Sequence, residues 1–258
     1  MSEYEFLRVG IDGPIATVTM ARPPVNSVSQ AMYRELRALF IDIDQLGPGI
    51  KAVVLTGDGK HFCGGNDLNE FATLSPGNAD ARMAEVRAAF FAIHDCPKPV
   101  IGAVHGVALG TGLAIAASCD FVIASEDARF GTPEVGVGIM GGARHLARLV
   151  PEPWLRWMYL TADPVSAHQL AALGGVIEVV PQDQLLTAAY RHAGRVTRHS
   201  RALLEMAKFS LNSIEEMGLQ PGYTFEQGLT TRICGHPDSK EAVLAALERR
   251  EPSYPSDA

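Results

Sequence analysis

Along the first 180 residues, the spacing of hydrophobic positions switches repeatedly between that of strands and that of helices. Continuous or alternating apolar runs predict strands at residues 4–9, 14–20, 52–57, 121–125 and 176–180, and a strand followed by a turn over residues 100–109. Apolar residues three or four positions apart predict helices at residues 29–46, 80–94, 112–118, 154–160 and 165–173. Strands that alternate with helices indicate an α/β domain.

Beyond residue 182, hydrophobic residues recur only at the spacing that is typical of helices. Four helices are predicted there, at residues 184–199, 201–217, 224–234 and 239–250. These helices cannot bury all their apolar faces against one another, so we expect them to pack on the core, on a neighbouring subunit or on both. We therefore divide the chain into an α/β core, residues 1–182, and a C-terminal helical region, residues 183–258, and expect the segment after Glu251 to be loosely held.

Composition and charge narrow the functional classes. Hydrophobic residues at 47% and charged residues at 20% are typical of a globular protein, and a net charge of -7 without a long basic run argues against a nucleic-acid partner. The N-terminal residues lack a signal-peptide pattern, so a cytoplasmic location is expected. The cysteines form no CxxC pair or Cys/His cluster, so we expect neither a metal site nor disulfides but small, apolar, reduced side chains. They are Cys63, Cys96, Cys119 and Cys234.

Residues 99–119 contain no Asp, Glu, Lys or Arg, and this length raises the possibility of a membrane span. The glycines at positions 102, 106 and 110 repeat a spacing that packed membrane helices use. The same glycines also suit a buried strand, a tight turn and a closely packed helix. We prefer this second interpretation and expect no membrane partner.

Three glycine-bearing segments are candidates for chemistry, at residues 61–68, 106–114 and 130–146. A glycine next to the start of a helix exposes backbone N–H groups, and two such loops together can hold an oxygen that gains negative charge. For any one loop, tight turns and close packing are the simpler explanation.

Known glycine motifs do not fit these segments. Gly110-Thr111-Gly112 precedes a predicted helix as a dinucleotide fingerprint would, but the third glycine position of that fingerprint is Ile115. Neither a P-loop nor a GxSxG nucleophile motif is present.

Five segments in order carry a resemblance over residues 4–250. They are RPPVNSVSQAMYREL, AVVLTGDGKHFCGGNDLNEF, KPVIGAVHGVALGTGLAIAASCDFVIAS, ARFGTPEVGVGIMGGARHLARLV and GGVIEVVPQDQL. In these motifs and their spacing, the chain resembles the enoyl-CoA hydratase/isomerase family, the crotonase superfamily. The resemblance implies a crotonase-like core of ββα units wound into a superhelix, followed by an α-helical region. It also implies an acyl-CoA thioester as substrate, with coenzyme A entering as part of that substrate and no separate cofactor.

The resemblance assigns catalytic roles to three residues. An oxyanion hole for the thioester carbonyl would use the backbone N–H groups of Asn66 and Thr111, where the family more usually has Ala and Gly. Hydratases of the family hold water between two glutamates, of which one matches Glu134 and the other falls at Ala114. A methyl group cannot hold or ionise water, whereas isomerases of the family rely on one glutamate at the position of Glu134. We therefore expect an isomerase, in which an apolar surround raises the pKa of Glu134.

Other interpretations stay open at this point. Glu134 follows Pro133 and would also suit the start of a helix without any catalytic role. A hydratase with another water-holding group, for which Glu70 and Glu85 are candidates, is the alternative within the family. An acyl-CoA-binding protein without turnover is the alternative outside enzymes, and Ala114 favours it.

Binding of coenzyme A and assembly follow from the resemblance as well. The family forms trimers or dimers of trimers through its C-terminal helices, and we expect a homotrimer or a dimer of trimers here. Lys208 and Lys240 are either solvated helix residues or contacts to CoA phosphates of a neighbouring subunit. The residues expected to bind CoA are Pro24, Val25, Gly65, Asn69 and Gly110.

Further polar side chains are expected to have structural roles. We expect Asp67 and Asp120 to fix loops and His105 to be a hydrogen-bonded core histidine. Arg144 and His145 follow two glycines at a predicted helix start, where they either line the acyl pocket or cap the helix.

Overall fold

The computed structural model of the chain describes residues 4–257, and its elements follow the alternating order expected from the sequence. The strands are β1 (Leu7–Asp12), β2 (Ile15–Met20), β3 (Ala52–Gly57), β4 (Val100–Val104), β5 (Val107–Leu109), β6 (Phe121–Ser125), β7 (Arg129–Gly131), β8 (Val165–Ser166) and β9 (Glu178–Val180). The helices are α1 (Gln30–Ile41), α2 (Leu68–Phe71), α3 (Ala79–His94), α4 (Thr111–Ser118), α5 (Ala143–Leu146), α6 (Glu152–Thr161), α7 (Ala167–Ala172), α8 (Leu185–Thr197), α9 (Arg201–Ile214), α10 (Leu219–Ile233) and α11 (Pro237–Glu248). Single 3₁₀ turns lie at Ile43–Leu46, Glu134–Val137, Gln182–Gln184 and Pro255–Asp257.

The strands form two sheets. The larger has six strands in the order β1-β2-β3-β4-β6-β9, in which β1 pairs antiparallel with β2 and the later pairs are parallel. The smaller has three strands in the order β5-β7-β8. Parallel neighbours need crossover connections, and the helices between the strands supply them.

The larger sheet is buried on both faces. Along β3, Val53 and Leu55 belong to one apolar cluster, with α1 and α3, while Ala52 and Val54 belong to a second cluster. This alternation follows from the two-residue period of a strand. Residues of α8 complete the second cluster, so the first helix after residue 182 packs on the core.

Two buried lysines hold α9 against the core. The Lys208 side chain is 4% exposed, and its ammonium donates to Asp120 Oδ2 at 2.8 Å and to the Lys98 carbonyl at 3.1 Å. The Lys98 ammonium pairs with Asp44 at 3.0 Å and with Glu205 of α9. Both expectations for Lys208, solvation and a CoA phosphate, are therefore wrong, because its charge is already compensated inside the protein. Asp120 also accepts from the Val100 N–H at 2.6 Å, which confirms its loop-fixing role.

Helix boundaries depart from the apolar spacing at two places. The helix predicted over residues 29–46 ends at Ile41, and Ile43 and Leu46 face the core from the 3₁₀ turn that follows. The apolar spacing continues past the end of the helix because it indicates which residues are buried, and these residues need not be helical. Helix α10 begins five residues before the predicted start, since Pro221 lies in its first turn, where proline is tolerated.

Two expectations about polar or exposed positions are also wrong. The segment after Glu251 is held, because Tyr254 is buried and the Ser256 N–H donates to Asp238 Oδ1 at 3.1 Å. Cys234 is exposed, whereas the other three cysteines are buried as expected.

The uncharged residues 99–119 lie inside the domain. They form β4, β5 and α4, and all eight residues of α4 are buried. Across residues 4–257, no helix combines the length and apolarity that crossing a membrane requires. The buried-core interpretation of this stretch is confirmed.

Candidate active site

One cavity of about 770 Å³ is lined by all eight residues that the sequence analysis names as catalytic or CoA-binding. Its wall is formed by the loop before α1, the loop before α2, the β5–α4 turn and the segment after β7. The eight residues are Pro24, Val25, Gly65, Asn66, Asn69, Gly110, Thr111 and Glu134.

The backbone around Asn66 leaves its N–H group unpaired. Val28 and Asn66 form a parallel bridge, in which the Val28 N–H donates to the Gly65 carbonyl at 2.8 Å and the Asp67 N–H donates to the Val28 carbonyl at 3.0 Å. In such a bridge the N–H of Asn66 itself faces away from Val28. Among residues 4–257 this N–H has no hydrogen-bond acceptor.

Thr111, the first residue of α4, likewise has an N–H without an acceptor in the part of the chain that the structure describes. The first N–H groups of a helix have no partner within it. Gly110 precedes it with φ +53°, a left-handed conformation that favours glycine. A side chain at Gly112 would collide with the Cys63 carbonyl, so this glycine lets α4 lie against the loop that carries Asn66. Two unpaired N–H groups in one cavity wall are what an oxyanion hole requires.

Glu134 begins the 3₁₀ turn after β7 and is only 6% exposed. Within the described part of the chain, its buried Oε2 has no hydrogen-bond partner. Burial raises the pKa of this carboxyl above its ordinary range, as the sequence predicts. A carboxylate in this state is a stronger base than an exposed one.

The position of the second hydratase glutamate is apolar. Ala114 is 2% exposed within α4, three residues after Thr111. Glu70 accepts from the Gln30 N–H at 2.8 Å, and Glu85 pairs with Arg34 at 3.2 Å. Neither glutamate lies in the cavity wall, so neither is placed to replace the missing one.

Asp67 fixes the loop beside the cavity, as expected. Its Oδ2 accepts from Arg22 at 2.5 Å, and its Oδ1 accepts from the Asn69 N–H at 2.9 Å. The bond from Arg22 is the main reason why the pKa of Asp67 is lowered. This carboxylate is therefore committed to holding the loop that presents Asn66.

The sequence did not single out Tyr33, whose hydroxyl contacts two site residues. It lies 2.6 Å from Asn66 Oδ1 and 2.8 Å from Thr111 Oγ1, and burial raises the pKa of this phenol. Tyr33 is fully buried on α1, and a buried tyrosine needs a partner for its hydroxyl. The apolar spacing of α1 indicates the burial, but the partners lie 33 and 78 positions away in sequence.

The remaining polar candidates lie outside this cavity. His105 is 6% exposed and its Nε2 lies 3.2 Å from the Gly59 carbonyl, which confirms a hydrogen-bonded core histidine. Arg144 and His145 line a second cavity of about 360 Å³, which shares no wall residue with the first. Lys240 is exposed on α11. No group of three or more possible metal ligands occurs among residues 4–257.

Comparison with known proteins agrees with this geometry. The family model for enoyl-CoA hydratase/isomerase matches residues 10–257. The chain belongs to this family. It is therefore an acyl-CoA-processing enzyme of the enoyl-CoA hydratase/isomerase family, and the crotonase-like α/β fold with C-terminal helices is confirmed.

Relatives of this hydratase/isomerase family member carry different names. It is 37% identical to the (7aS)-7a-methyl-1,5-dioxo-2,3,5,6,7,7a-hexahydro-1H-indene-carboxyl-CoA hydrolase of Rhodococcus jostii, over 85% of each chain. It is 34% identical to the 2,3-dehydroadipyl-CoA hydratase of Escherichia coli, over 93% of this chain and 94% of the relative. The solved structure of Pseudomonas aeruginosa DspI matches with a TM-score of 0.93 at 30% identity, over 98% of both chains.

Proposed function

We propose that this family member moves the double bond of a 3-enoyl-CoA to the 2-position, with Glu134 as the single base. The observation that carries the proposal is the buried, unpartnered Oε2 of Glu134 in a cavity that lacks a second free carboxylate. The only other carboxylate in the described wall, Asp67, is bound to Arg22. Ala114 supplies a methyl group where water addition calls for a glutamate.

The reaction needs one proton carrier and one site for negative charge. Glu134 takes a proton from C2, and the electron pair of the broken C2–H bond moves onto the thioester oxygen. The N–H groups of Asn66 and Thr111 hold this oxygen, and each such donor is worth about a hundred- to a thousand-fold in rate. Glu134 then returns the proton to C4, the double bond forms between C2 and C3, and neither water nor a cofactor is consumed.

The coenzyme A part of the substrate would lie along the loops that frame the cavity. Five residues of the wall support this placement, because they line the same cavity as Asn66 and Thr111. They are Pro24, Val25, Gly65, Asn69 and Gly110.

Turnover of two substrates tests the proposal. Purified protein is given a 3-enoyl-CoA and a 2-enoyl-CoA, and double-bond movement and water addition are followed by absorbance and mass spectrometry. The Glu134→Gln variant is expected to lose about a hundred- to ten-thousand-fold in isomerisation, while its acyl-CoA affinity stays close to that of the original protein. The matched control is Glu126→Gln, which changes an exposed glutamate in the turn after β6.

Each result has a distinct meaning. Full isomerase activity in Glu134→Gln would rule out this base. Water addition to the 2-enoyl-CoA without double-bond movement would establish a hydratase with another way of holding water. Acyl-CoA binding without turnover of either substrate would indicate that the protein binds acyl-CoA and does not act on it.

Hydrolysis is the second candidate, because the Rhodococcus jostii relative named as a hydrolase is 37% identical. The same pair of N–H groups would take the negative charge that water creates on attacking a carbonyl. Incubation with the CoA thioester in that relative's name, followed by mass spectrometry for the gain of one water, tests this candidate. A gain of water there, with no isomerisation, would replace the first proposal.

We also propose a homotrimer or a dimer of trimers. Large apolar side chains on the C-terminal helices are exposed in the single chain, and this supports burial against other copies. Light scattering on the purified protein tests it, and a monomer would refute it. The exposed side chains include Phe209, Leu211, Leu219, Tyr223, Val243, Leu244 and Leu247.

A further inference from the structure

One buried hydroxyl contacts the side chains of both cavity-lining residues whose N–H groups have no acceptor within the described part of the chain. We propose that Tyr33 is a positioning residue for the oxyanion hole, which holds the Asn66 and Thr111 loops together through one chain of hydrogen bonds. The inference rests on the oxyanion role of these two residues in the proposed function. It adds a third residue, on a different element, that touches neither the substrate nor the base.

The protons of this chain have a fixed direction. A phenol has one hydrogen to donate, and the Tyr33 hydroxyl donates it to Asn66 Oδ1 at 2.6 Å. The Thr111 hydroxyl, 2.8 Å away, must then donate to the Tyr33 oxygen. The chain therefore runs from Thr111 through Tyr33 to Asn66, and each bond orients a side chain of the hole.

The ring of Tyr33 is held by the helices of the core, independently of the bonds that its hydroxyl makes to the two loops. Its ring is fully buried and meets the ring of Phe90 on α3 edge to face, with centroids 6.0 Å apart. Helix α1 begins at a Ser29 cap, where the hydroxyl accepts from the Met32 N–H at 3.2 Å. The hydroxyl of Tyr33 is thus a fixed point to which two loops from different parts of the chain are tied.

The side chains at positions 66 and 111 match what this hydroxyl needs. An amide oxygen accepts its hydrogen, and a threonine hydroxyl donates to its oxygen. A methyl group at position 66 and a hydrogen at position 111 would leave the buried phenol without partners, which costs about 1–3 kcal/mol. Tyr33, Asn66 and Thr111 therefore form one set, in which the polar side chains position the N–H groups of the same residues.

The experiment removes one oxygen atom from the set. In Tyr33→Phe the ring stays in place and both hydrogen bonds are lost. We expect kcat to fall about ten- to a hundred-fold, with KM little changed, because a small displacement of positioned groups costs about this much. The matched control is Tyr190→Phe, which removes a hydroxyl 2.5 Å from Thr17 Oγ1, away from the cavity.

A second readout reports on the hole without turnover. Acetoacetyl-CoA, a 3-ketoacyl thioester, absorbs in the near ultraviolet when it binds as its enolate. An intact hole lowers the pH at which the bound ligand ionises, so this pH is expected to rise in Tyr33→Phe and to stay unchanged in Tyr190→Phe. Thr111→Val is expected to raise the ionisation pH as well, and Thr111→Ser is expected to raise it less than Thr111→Val.

These measurements separate this inference from the proposed isomerisation. If the original protein ionises the ligand but isomerises nothing, the isomerase proposal fails and the role of Tyr33 is still decided by the shift in ionisation pH. An unchanged ionisation pH in both Tyr33→Phe and Thr111→Val would overturn the role of Tyr33. The same follows if Tyr190→Phe raises it as much as Tyr33→Phe, or if the original protein does not promote ionisation. If Tyr33→Phe fails to fold, the two Thr111 variants decide the question.

Discussion

Gly142 lies directly against the carboxylate of Glu134. A methyl group on its Cα would come within 2.8 Å of Glu134 Oε1. The residue has φ +75° and precedes α5, so its backbone forms one wall of the space that the carboxylate occupies. The position of the proposed base therefore depends on the absence of a side chain eight residues further along the chain.

Gly142→Ala is expected to displace the Glu134 carboxylate and to lower kcat at least about ten-fold, since catalytic groups tolerate little misplacement. The left-handed backbone also costs about 1–2 kcal/mol of stability in any residue with a Cβ. Gly138→Ala separates the two effects, because Gly138 has φ +77° and nothing lies within 4 Å of its Cβ position. Equal losses of kcat in both variants would argue that backbone strain, and not contact with Glu134, is responsible.

The rate should depend on pH through Glu134. A base must lose its proton before it can act, and burial raises the pKa of this carboxyl. The acid limb of kcat/KM is therefore expected above the usual range of a glutamate, with activity falling about ten-fold per pH unit below it. A pH profile of isomerisation from acid to neutral pH measures this. An acid limb that persists unchanged in the residual activity of Glu134→Gln would assign it to another group.

Loss of one partner of the buried Lys208–Asp120 pair is expected to destabilise the fold. Asp120→Asn removes the charge that compensates the ammonium of Lys208, whose side chain is 4% exposed, and this costs about 3–5 kcal/mol. Urea unfolding at neutral pH measures it. The double variant Asp120→Asn/Lys208→Met is expected to be more stable than Asp120→Asn, because it no longer buries an unpaired charge.

The matched control for this prediction is an exposed ion pair. Arg8 and Asp58 lie 3.0 Å apart, with side chains 69% and 45% exposed. Arg8→Ala is expected to change the free energy of unfolding by less than about 1 kcal/mol. A similar loss in Arg8→Ala and Asp120→Asn would contradict the importance of burial.

Ala114→Glu tests why the proposed reaction is not hydration. A carboxylate at this position would supply the second group that holds water, so addition of water to a 2-enoyl-CoA is expected to appear. Loss of the absorbance of the conjugated double bond measures it. Ala114→Gln is the control for size, and equal hydration by both variants would show that a second carboxylate is not what the site lacks.

The sequence predicts those parts of the fold and site that depend on local pattern. The apolar run of β3 and the helices α1 and α3 follow from spacing alone. The motifs that contain Asn66, Thr111 and Glu134 are continuous stretches of sequence, so the resemblance to the family identifies these residues, and all three lie in one cavity wall.

Other features depend on partners that are distant in sequence. A strand and a turn are predicted over residues 100–109, and Gly106 does turn the chain with φ +58°, but the sequence does not show that β4 and β5 on either side of it belong to different sheets. A charged side chain usually lies in solvent. Lys208 is nevertheless buried, because the carboxylate of Asp120, 88 positions earlier, compensates its charge. The contacts of Tyr33 are hidden for the same reason, since nothing near Tyr33 in sequence identifies Asn66 or Thr111.

Catalytic activity should also report whether the two sheets are packed together as in the native fold. The loop that follows β3 of the six-stranded sheet is held by two isolated bridges. Its Asn66 pairs with Val28 in the segment before α1, and its Cys63 pairs with Ala108 in β5 of the three-stranded sheet. A molten globule keeps secondary structure but loses such fixed packing. In that state the helices and strands would still give a circular dichroism signal. The N–H groups of Asn66 and Thr111 would no longer be held together around the thioester oxygen of the substrate. Turnover should therefore vanish before helicity does as the protein is acidified or warmed.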